Sequence, residues 1–158
     1  MLNDFRPPHA ETSRVTLLIA DDDDGHAERI QELRQEVGMR HTMVRCRDGQ
    51  EVLDILAGRG PLRLESGQRY VLMLDIRMPR VDGVQVLRRV KADARWKDMP
   101  TIMLTTTDDP REIQTCYRAG CNCYIAKPID FDQFAEVLRQ LGRMLMMIQV
   151  PKVELEPA

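Results

Sequence analysis

The sequence predicts an α/β fold: a three-layer, doubly wound parallel sheet with helices on both faces. Two observations carry this. Short apolar runs alternate along the chain with stretches of helical periodicity, the pattern of strands joined by crossover helices. The run Tyr70-Val-Leu-Met-Leu-Asp75 is apolar without interruption until it ends in a carboxylate, as a strand buried on both faces does when it reaches the sheet edge.

Taken in order, Val15-Thr-Leu-Leu-Ile-Ala20 is the first strand, and it ends in Asp21, Asp22, Asp23 and Asp24. Ala27, Ile30, Leu33 and Val37 recur at helical spacing, with Gly38 where a C-terminal cap belongs. His41 to Cys46 is a second, short strand. Asp48-Gly-Gln-Glu51 has capping-box spacing and opens a second helix carrying Val52, Leu53, Ile55 and Leu56. Gly58 to Arg69 mixes glycine, proline and charge without a period and reads as an exposed loop before the Asp75 strand. A turn at Pro79 and Gly83 leads to a third helix with Val84, Val86, Leu87 and Val90, and Ala92 to Pro100 is its polar exit. Thr101-Ile-Met-Leu-Thr105 is the fourth strand. Asp109 and Pro110 start a fourth helix as N-cap and first helical residue, and Gly120 ends it. Cys123-Tyr-Ile-Ala is the fifth strand, running into Lys127-Pro128.

Asp130-Phe-Asp-Gln133 is a further capping box, opening the last helix. Phe131, Phe134, Val137, Leu138, Leu141, Leu145 and Ile148 form one stripe along it, which Met144, Met146 and Met147 widen until the end is apolar nearly all round. Such an end either folds back on its own core or takes a partner, and its terminal position favours self-association. Pro151 stops the helix, so residues 15–150 form one domain between a flexible arm (1–14) and a polar tail (151–158).

The length of 158 residues suits a single core, and a hydrophobic fraction of 43% with 30% charged residues is that of an ordinary globular protein. A formal net charge of −2 argues against a dedicated nucleic-acid binder. No apolar stretch is long enough to span a bilayer, and the arm lacks a signal core, so the cytoplasm is the expected location. Cys46, Cys116, Cys121 and Cys123 resemble neither a disulfide framework nor a soft-metal cage and read as free thiols. His9, His26 and His41 are assigned no chemistry.

The chemistry gathers where strands end. Carboxylates on adjacent strand ends repel one another unless a cation sits between them, and oxygen-only ligands select a hard ion such as Mg²⁺. Such an ion can neutralise an incoming phosphoryl group while the Thr105 hydroxyl and the Lys127 ammonium bind its other oxygens. An aspartate so placed can attack phosphorus and become an acyl phosphate. No glycine-rich loop follows the first strand, so a dinucleotide or P-loop site is not expected. Asp23 and Asp24 read as helix-capping residues.

An acidic pair after the first strand, Asp-x-x-Met-Pro-x-x-Asp-Gly from Asp75 to Gly83, Thr105 after the fourth strand and Lys127-Pro128 after the fifth stand in order along the chain. Together they resemble the receiver domain of two-component response regulators, over nearly all of Val15 to Val150. The resemblance implies a flavodoxin-like (βα)5 sheet of strand order 2-1-3-4-5, with Asp75 accepting a phosphoryl group from a histidine kinase. It implies Mg²⁺ on Asp21, Asp22, Asp75 and the backbone carbonyl of Arg77, although the run of four aspartates admits a register one residue later. It makes Thr105 the switch hydroxyl, Tyr124 the switch aromatic and Lys127 the phosphate-pairing lysine. Arg77 departs from the smaller polar residues usual at its position, and its side chain is available to shield the phosphoryl group or alter its lifetime. No turnover of external substrate is implied, only Mg²⁺-dependent self-phosphorylation and slow dephosphorylation.

Cys121 to Phe134, Leu104-Thr-Thr106 and the long loop before the third strand also resemble the single-domain regulators of phytochrome-type histidine kinases. That resemblance implies a chain without an output domain that forms a homodimer through its last helix. Two other functions are open: a receiver-shaped interaction module or phosphate sink, and a Mg²⁺-dependent phosphatase. The module would be expected to lack one of the site residues, whereas all are present. The phosphatase places a second acid where this chain has Arg77.

Overall fold

The computed structural model describes residues 14–36, 41–60 and 62–155; the first 13 residues of the expected arm, Val37, Gly38 and the end of the expected tail lie outside them. Strand β1 (Thr16–Ala20) leads through α1 (Asp24–Glu36) to β2 (Thr42–Cys46), and α2 (Gly49–Leu56) leads to β3 (Tyr70–Leu74). α3 (Gly83–Ala92), β4 (Thr101–Thr105), α4 (Pro110–Ala119), β5 (Cys123–Ala126) and α5 (Phe131–Met147) complete the alternation. Every strand pairing is parallel, and the order is β2-β1-β3-β4-β5, as the resemblance implies.

The pleat divides the strand side chains between two cores. Leu18, Ala20, Leu72, Leu74 and Met103 pack with side chains of α2, α3 and α4. Leu17, Ile19, Val71, Met73, Ile102 and Leu104 pack on the other face against α1 and α5. β3 and β4 are therefore buried at every residue, which is why they read as unbroken apolar runs, whereas the edge strands β2 and β5 are only partly covered. Each fully buried Leu or Val contributes roughly 1.5–3 kcal/mol, so a polar residue at Val71 or Leu72 forfeits about that much on one face or the other.

Helix ends follow the sequence with three differences. At α5, Asp130 Oδ1 accepts from the Gln133 N–H at 2.9 Å, but the Gln133 side chain does not close the expected capping box. Asp48 Oδ1 accepts from the Glu51 N–H at 2.9 Å, but the Glu51 carboxylate turns to the Arg47 N–H, 2.7 Å away, rather than to the cap itself. α3 carries a complete capping box from Asp82 and Gln85, where the sequence suggests only a turn at Pro79 and Gly83. α4 begins at Asp109-Pro110 and ends at Gly120 as expected, with Gly120 in the left-handed region at φ 103°.

Three segments differ from expectation. The exit of α3 is not simply polar, because Trp96 and Met99 are buried in the α2–α3 core. The loop before β3 and the C-terminal segment are not free of each other. Arg69 and Lys152 form an antiparallel bridge, Val153 donates to the Gln68 carbonyl at 2.9 Å, and Val153 itself is buried. At the end of α5, Leu141 and Leu145 are buried in the protein's own core, and Met144 and Ile148 pack partly against it. Only Met146 and Met147 are left exposed there, while Phe131, expected in the stripe, lies outside with the Arg29 guanidinium over its ring at 4.1 Å.

Cys46, Cys116 and Cys121 are buried free thiols and Cys123 is half-buried. Burial pushes the Cys46 thiol up to about 12 and Cys121 to about 11, so neither is a ready nucleophile. Among the described residues no helix is long and apolar enough to cross a membrane.

Candidate functional site

Parallel strands in register deliver their last residues to one edge. Ala20 pairs with Leu74, and the ladder continues one step further: the Asp75 N–H donates to the Ala20 carbonyl at 3.0 Å and the Asp21 N–H to the Cys46 carbonyl at 3.1 Å. Asp21 and Asp75 thus leave the sheet side by side. On the other flank Thr105 pairs with Ala126, and the Lys127 N–H donates to the Thr105 carbonyl at 2.6 Å. Asp21, Asp75, Thr105 and Lys127 are all buried, and Asp22 is exposed.

The loop after β3 is pinned beneath this edge. The Gly83 N–H donates to the Ile76 carbonyl at 2.8 Å, and a Cβ on Gly83 would stand 2.1 Å from the Asp75 carbonyl oxygen, a clash with backbone that only glycine avoids. Arg80 adopts φ 67°, unusual for a residue with a side chain, and its guanidinium meets Asp48 Oδ2 at 2.7 Å from Nη2. Burial alone would raise the Asp48 carboxyl; the Glu51 N–H and Arg80 outweigh it and hold it below the ordinary carboxylate range.

Charge at the edge is unbalanced. Asp21, Asp22 and Asp75 each place an oxygen within 4.8 Å of the others. Against these carboxylates Lys127 Nζ reaches Asp21 Oδ2 at 2.5 Å and Asp75 Oδ2 at 3.2 Å. Two polar atoms are also left over: Asp75 Oδ1 and Thr105 Oγ1 are buried without a hydrogen-bond partner. An unsatisfied buried polar group costs about 1–3 kcal/mol, and a charged or hydrogen-bonding group bound at this edge would satisfy both. Three clustered carboxylates, one of them open to solvent, fit a hard divalent cation such as Mg²⁺.

The structure brings Asp21, Asp22, Asp75, Thr105 and Lys127 together, with the acidic pair in the register Asp21-Asp22. Asp23 Oδ1 instead accepts from the His26 N–H at 3.0 Å at the start of α1, and that bond is the main reason its carboxyl lies below the usual range. Asp24 pairs with Arg45 at 2.6 Å. Tyr124 stands on the neighbouring surface, its hydroxyl donating to the Thr107 carbonyl at 2.7 Å; burial, then the nearby Cys116 and Glu112, push that hydroxyl up to about 12. The Arg77 guanidinium is exposed and lies 3.5 Å from Glu112 on α4, whose other carboxylate oxygen takes the Thr107 hydroxyl. His26, to which the sequence assigns no chemistry, also reaches the site: its Nδ1 lies 3.1 Å from Lys127 Nζ. A histidine a few residues past an acidic strand end is the only sequence signal for it, and it has no periodicity.

Residues 17–139 match the response regulator receiver domain. A probable methanogenesis regulatory protein, FilR2 of Methanothrix harundinacea, is 30% identical over 79% of this chain and 79% of its own. A response regulator receiver domain from Rhodospirillum rubrum is 35% identical, with a TM-score of 0.81 over 88% of this chain and 99% of that one. The bacteriophytochrome response regulator RtBRR is 26% identical, with a TM-score of 0.67 over 92% of this chain and 84% of that one. The strand order, the acidic edge and a match covering most of the chain agree, and the protein belongs to the response regulator receiver domain family of two-component signalling.

Proposed function

We propose that Asp75 is a phosphoacceptor that takes a phosphoryl group from the phosphohistidine of a histidine kinase. The observation that carries this is the pair of unpartnered buried atoms, Asp75 Oδ1 and Thr105 Oγ1, beside a lysine and an acidic cluster. A carboxylate oxygen of Asp75 forms the new bond to phosphorus as the phosphorus–nitrogen bond of the donor breaks, and the leaving imidazole takes up a proton. Mg²⁺, held by Asp21, Asp22, Asp75 and the Arg77 carbonyl, would neutralise charge on the phosphoryl oxygens. Lys127 turns from the carboxylates to one phosphoryl oxygen, and the Thr105 hydroxyl donates to another.

The signal then leaves through the face of α4, β5 and α5. Movement of Thr105 toward the phosphoryl group shifts the segment after β4, to which Tyr124 is tied through the Thr107 carbonyl, making Thr105 and Tyr124 the switch pair. The receiver is cytoplasmic in this reading, and the likeness to RtBRR supports a phytochrome-type kinase as donor. Homodimerisation through the last helix belongs to the same reading; its apolar support is Met146 and Met147, since Leu141 and Leu145 serve the protein's own core.

Asp75→Asn tests the acceptor. The variant is expected to keep its fold and lose all labelling by acetyl phosphate with Mg²⁺, and undiminished labelling would refute the assignment. Light scattering tests the assembly: a dimer that Met146→Glu with Met147→Glu dissociates is expected, and a monomer for the intact chain at high concentration removes it.

A further inference from the structure

We infer that His26 is a positioning residue for Lys127, acting as the neutral third acceptor of its ammonium group. This rests on the reading of Asp75 as the acceptor. An ammonium carries three hydrogens and no lone pair. Lys127 Nζ has three polar neighbours: Asp21 Oδ2 at 2.5 Å, Asp75 Oδ2 at 3.2 Å and His26 Nδ1 at 3.1 Å. With Lys127 donating, Nδ1 must supply a lone pair. His26 Nδ1 also lies 3.4 Å from Asp21 Oδ2, but a hydrogen placed on Nδ1 to reach that oxygen would point its donor at an ammonium. The proton of the imidazole therefore sits on Nε2, the nitrogen that faces Asp23 Oδ2 at 3.9 Å.

His26 is held at both its backbone and its ring. The His26 backbone N–H donates to Asp23 Oδ1 at 3.0 Å at the start of α1, and its ring lies 5.5 Å from the Phe134 ring of α5 at a 59° tilt. The acceptor's neutrality is what makes it useful. When Lys127 gives up carboxylate contacts to meet a phosphoryl oxygen, a third carboxylate would hold the ammonium back and cancel its charge. A neutral nitrogen aims the ammonium and leaves the charge for the phosphoryl group.

The geometry also says which substitutions restore the contact. Asn places its amide oxygen near the position of Nδ1, whereas Gln places its own near Nε2. Initial rates of Asp75 labelling by acetyl phosphate at saturating Mg²⁺ would be compared for the full chain and for His26→Leu, His26→Asn and His26→Gln. His26→Leu is expected to label about tenfold more slowly, the size of one hydrogen bond to a charged group, with His26→Asn restoring the rate and His26→Gln not. Nitrogen-15 NMR of the unmodified protein at pH 8 is expected to show the Nε2–H tautomer. Equal rates for His26→Leu and a labelled intact chain overturn the inference while sparing Asp75. So does equal rescue by Asn and Gln, or a proton on Nδ1. Failure of the intact chain to label refutes the acceptor instead, and the tautomer still decides the role of His26.

Discussion

Thr101 and Thr105 begin and end the same strand, and both are completely buried. Thr101 Oγ1 donates to the Met99 carbonyl at 3.2 Å, and its N–H donates to Asn122 Oδ1 at 2.8 Å. Thr105 Oγ1 has no partner. One residue type at one depth is satisfied at the amino edge of the sheet and orphaned at the carboxyl edge. The amino edge elsewhere follows Thr101: the Val15 N–H donates to His41 Nδ1, and Arg69 Nε donates to the Val150 carbonyl. The carboxyl edge follows Thr105, with a bare Asp75 oxygen and more carboxylate than ammonium. The amino edge pairs these groups and leaves His41 Nε2 as its exception, whereas the carboxyl edge leaves both Thr105 Oγ1 and an Asp75 oxygen open.

The largest test of this contrast removes Lys127, the buried cation at the open end. With Lys127→Met, Asp21 and Asp75 face each other uncompensated, and stability in a chelator is expected to fall by about 3–5 kcal/mol. Mg²⁺ should return part of that loss. For the unmodified protein, Mg²⁺ at a hundredfold above its Kd should add about 2.7 kcal/mol by linkage. Asp21→Asn with Asp22→Asn should abolish that gain. Urea titrations with Mg²⁺ and with chelator measure all of these, and identical curves for the unmodified protein would mean that the carboxyl edge needs no ion.

This asymmetry decides what the sequence reveals. The open edge was legible because Asp75, Asp21, Thr105 and Lys127 each terminate an apolar run, and parallel register does the rest. The strands and most helix ends were legible through burial on both faces and through local capping chemistry, as at Asp109 and Gly120. What escaped depends on contacts between distant segments. His26 meets Lys127 from the far end of the chain. Val153 joins the core where the C-terminal segment hydrogen-bonds residues 66–68, and Trp96 becomes core only once α3 has packed. The last helix reads as apolar all round because the sequence does not reveal how much of its end β1 and β3 cover; Leu141 and Leu145 are covered, Met147 is not.

The two threonines can be exchanged for their isostere. Thr105→Val removes an unsatisfied hydroxyl and is expected to stabilise the unliganded protein by about 1 kcal/mol. Thr101→Val removes a made hydrogen bond and should destabilise by about 0.5–1 kcal/mol, the smaller figure because Lys91 Nζ, 2.9 Å away, keeps the Met99 carbonyl paired. Opposite signs in urea unfolding support the contrast; two losses of equal size would dissolve it. Thr105→Val should also still be labelled at Asp75 yet lose any phosphorylation-dependent change in assembly.

The smallest effect lies at the closed edge. His41 is buried, accepts from the Val15 N–H at 3.2 Å through Nδ1, and has no partner at Nε2. Burial lowers its pKa from the ordinary 6.5, and the nearby Arg34 charge adds to this. The sign follows from linkage. A histidine whose folded value is lowered binds protons more readily when unfolded, so its contribution is complete above the ordinary value and is lost as pH falls below it. His41→Asn keeps an acceptor near the Nδ1 position but does not titrate. Between pH 7.5 and pH 5.5 the unmodified protein should therefore lose more stability than His41→Asn does, measured by urea unfolding in chelator so that the acidic cluster binds no metal in either. A parallel decline in the two proteins would show that His41 carries no linkage, and that its role at the amino edge is the Val15 hydrogen bond alone.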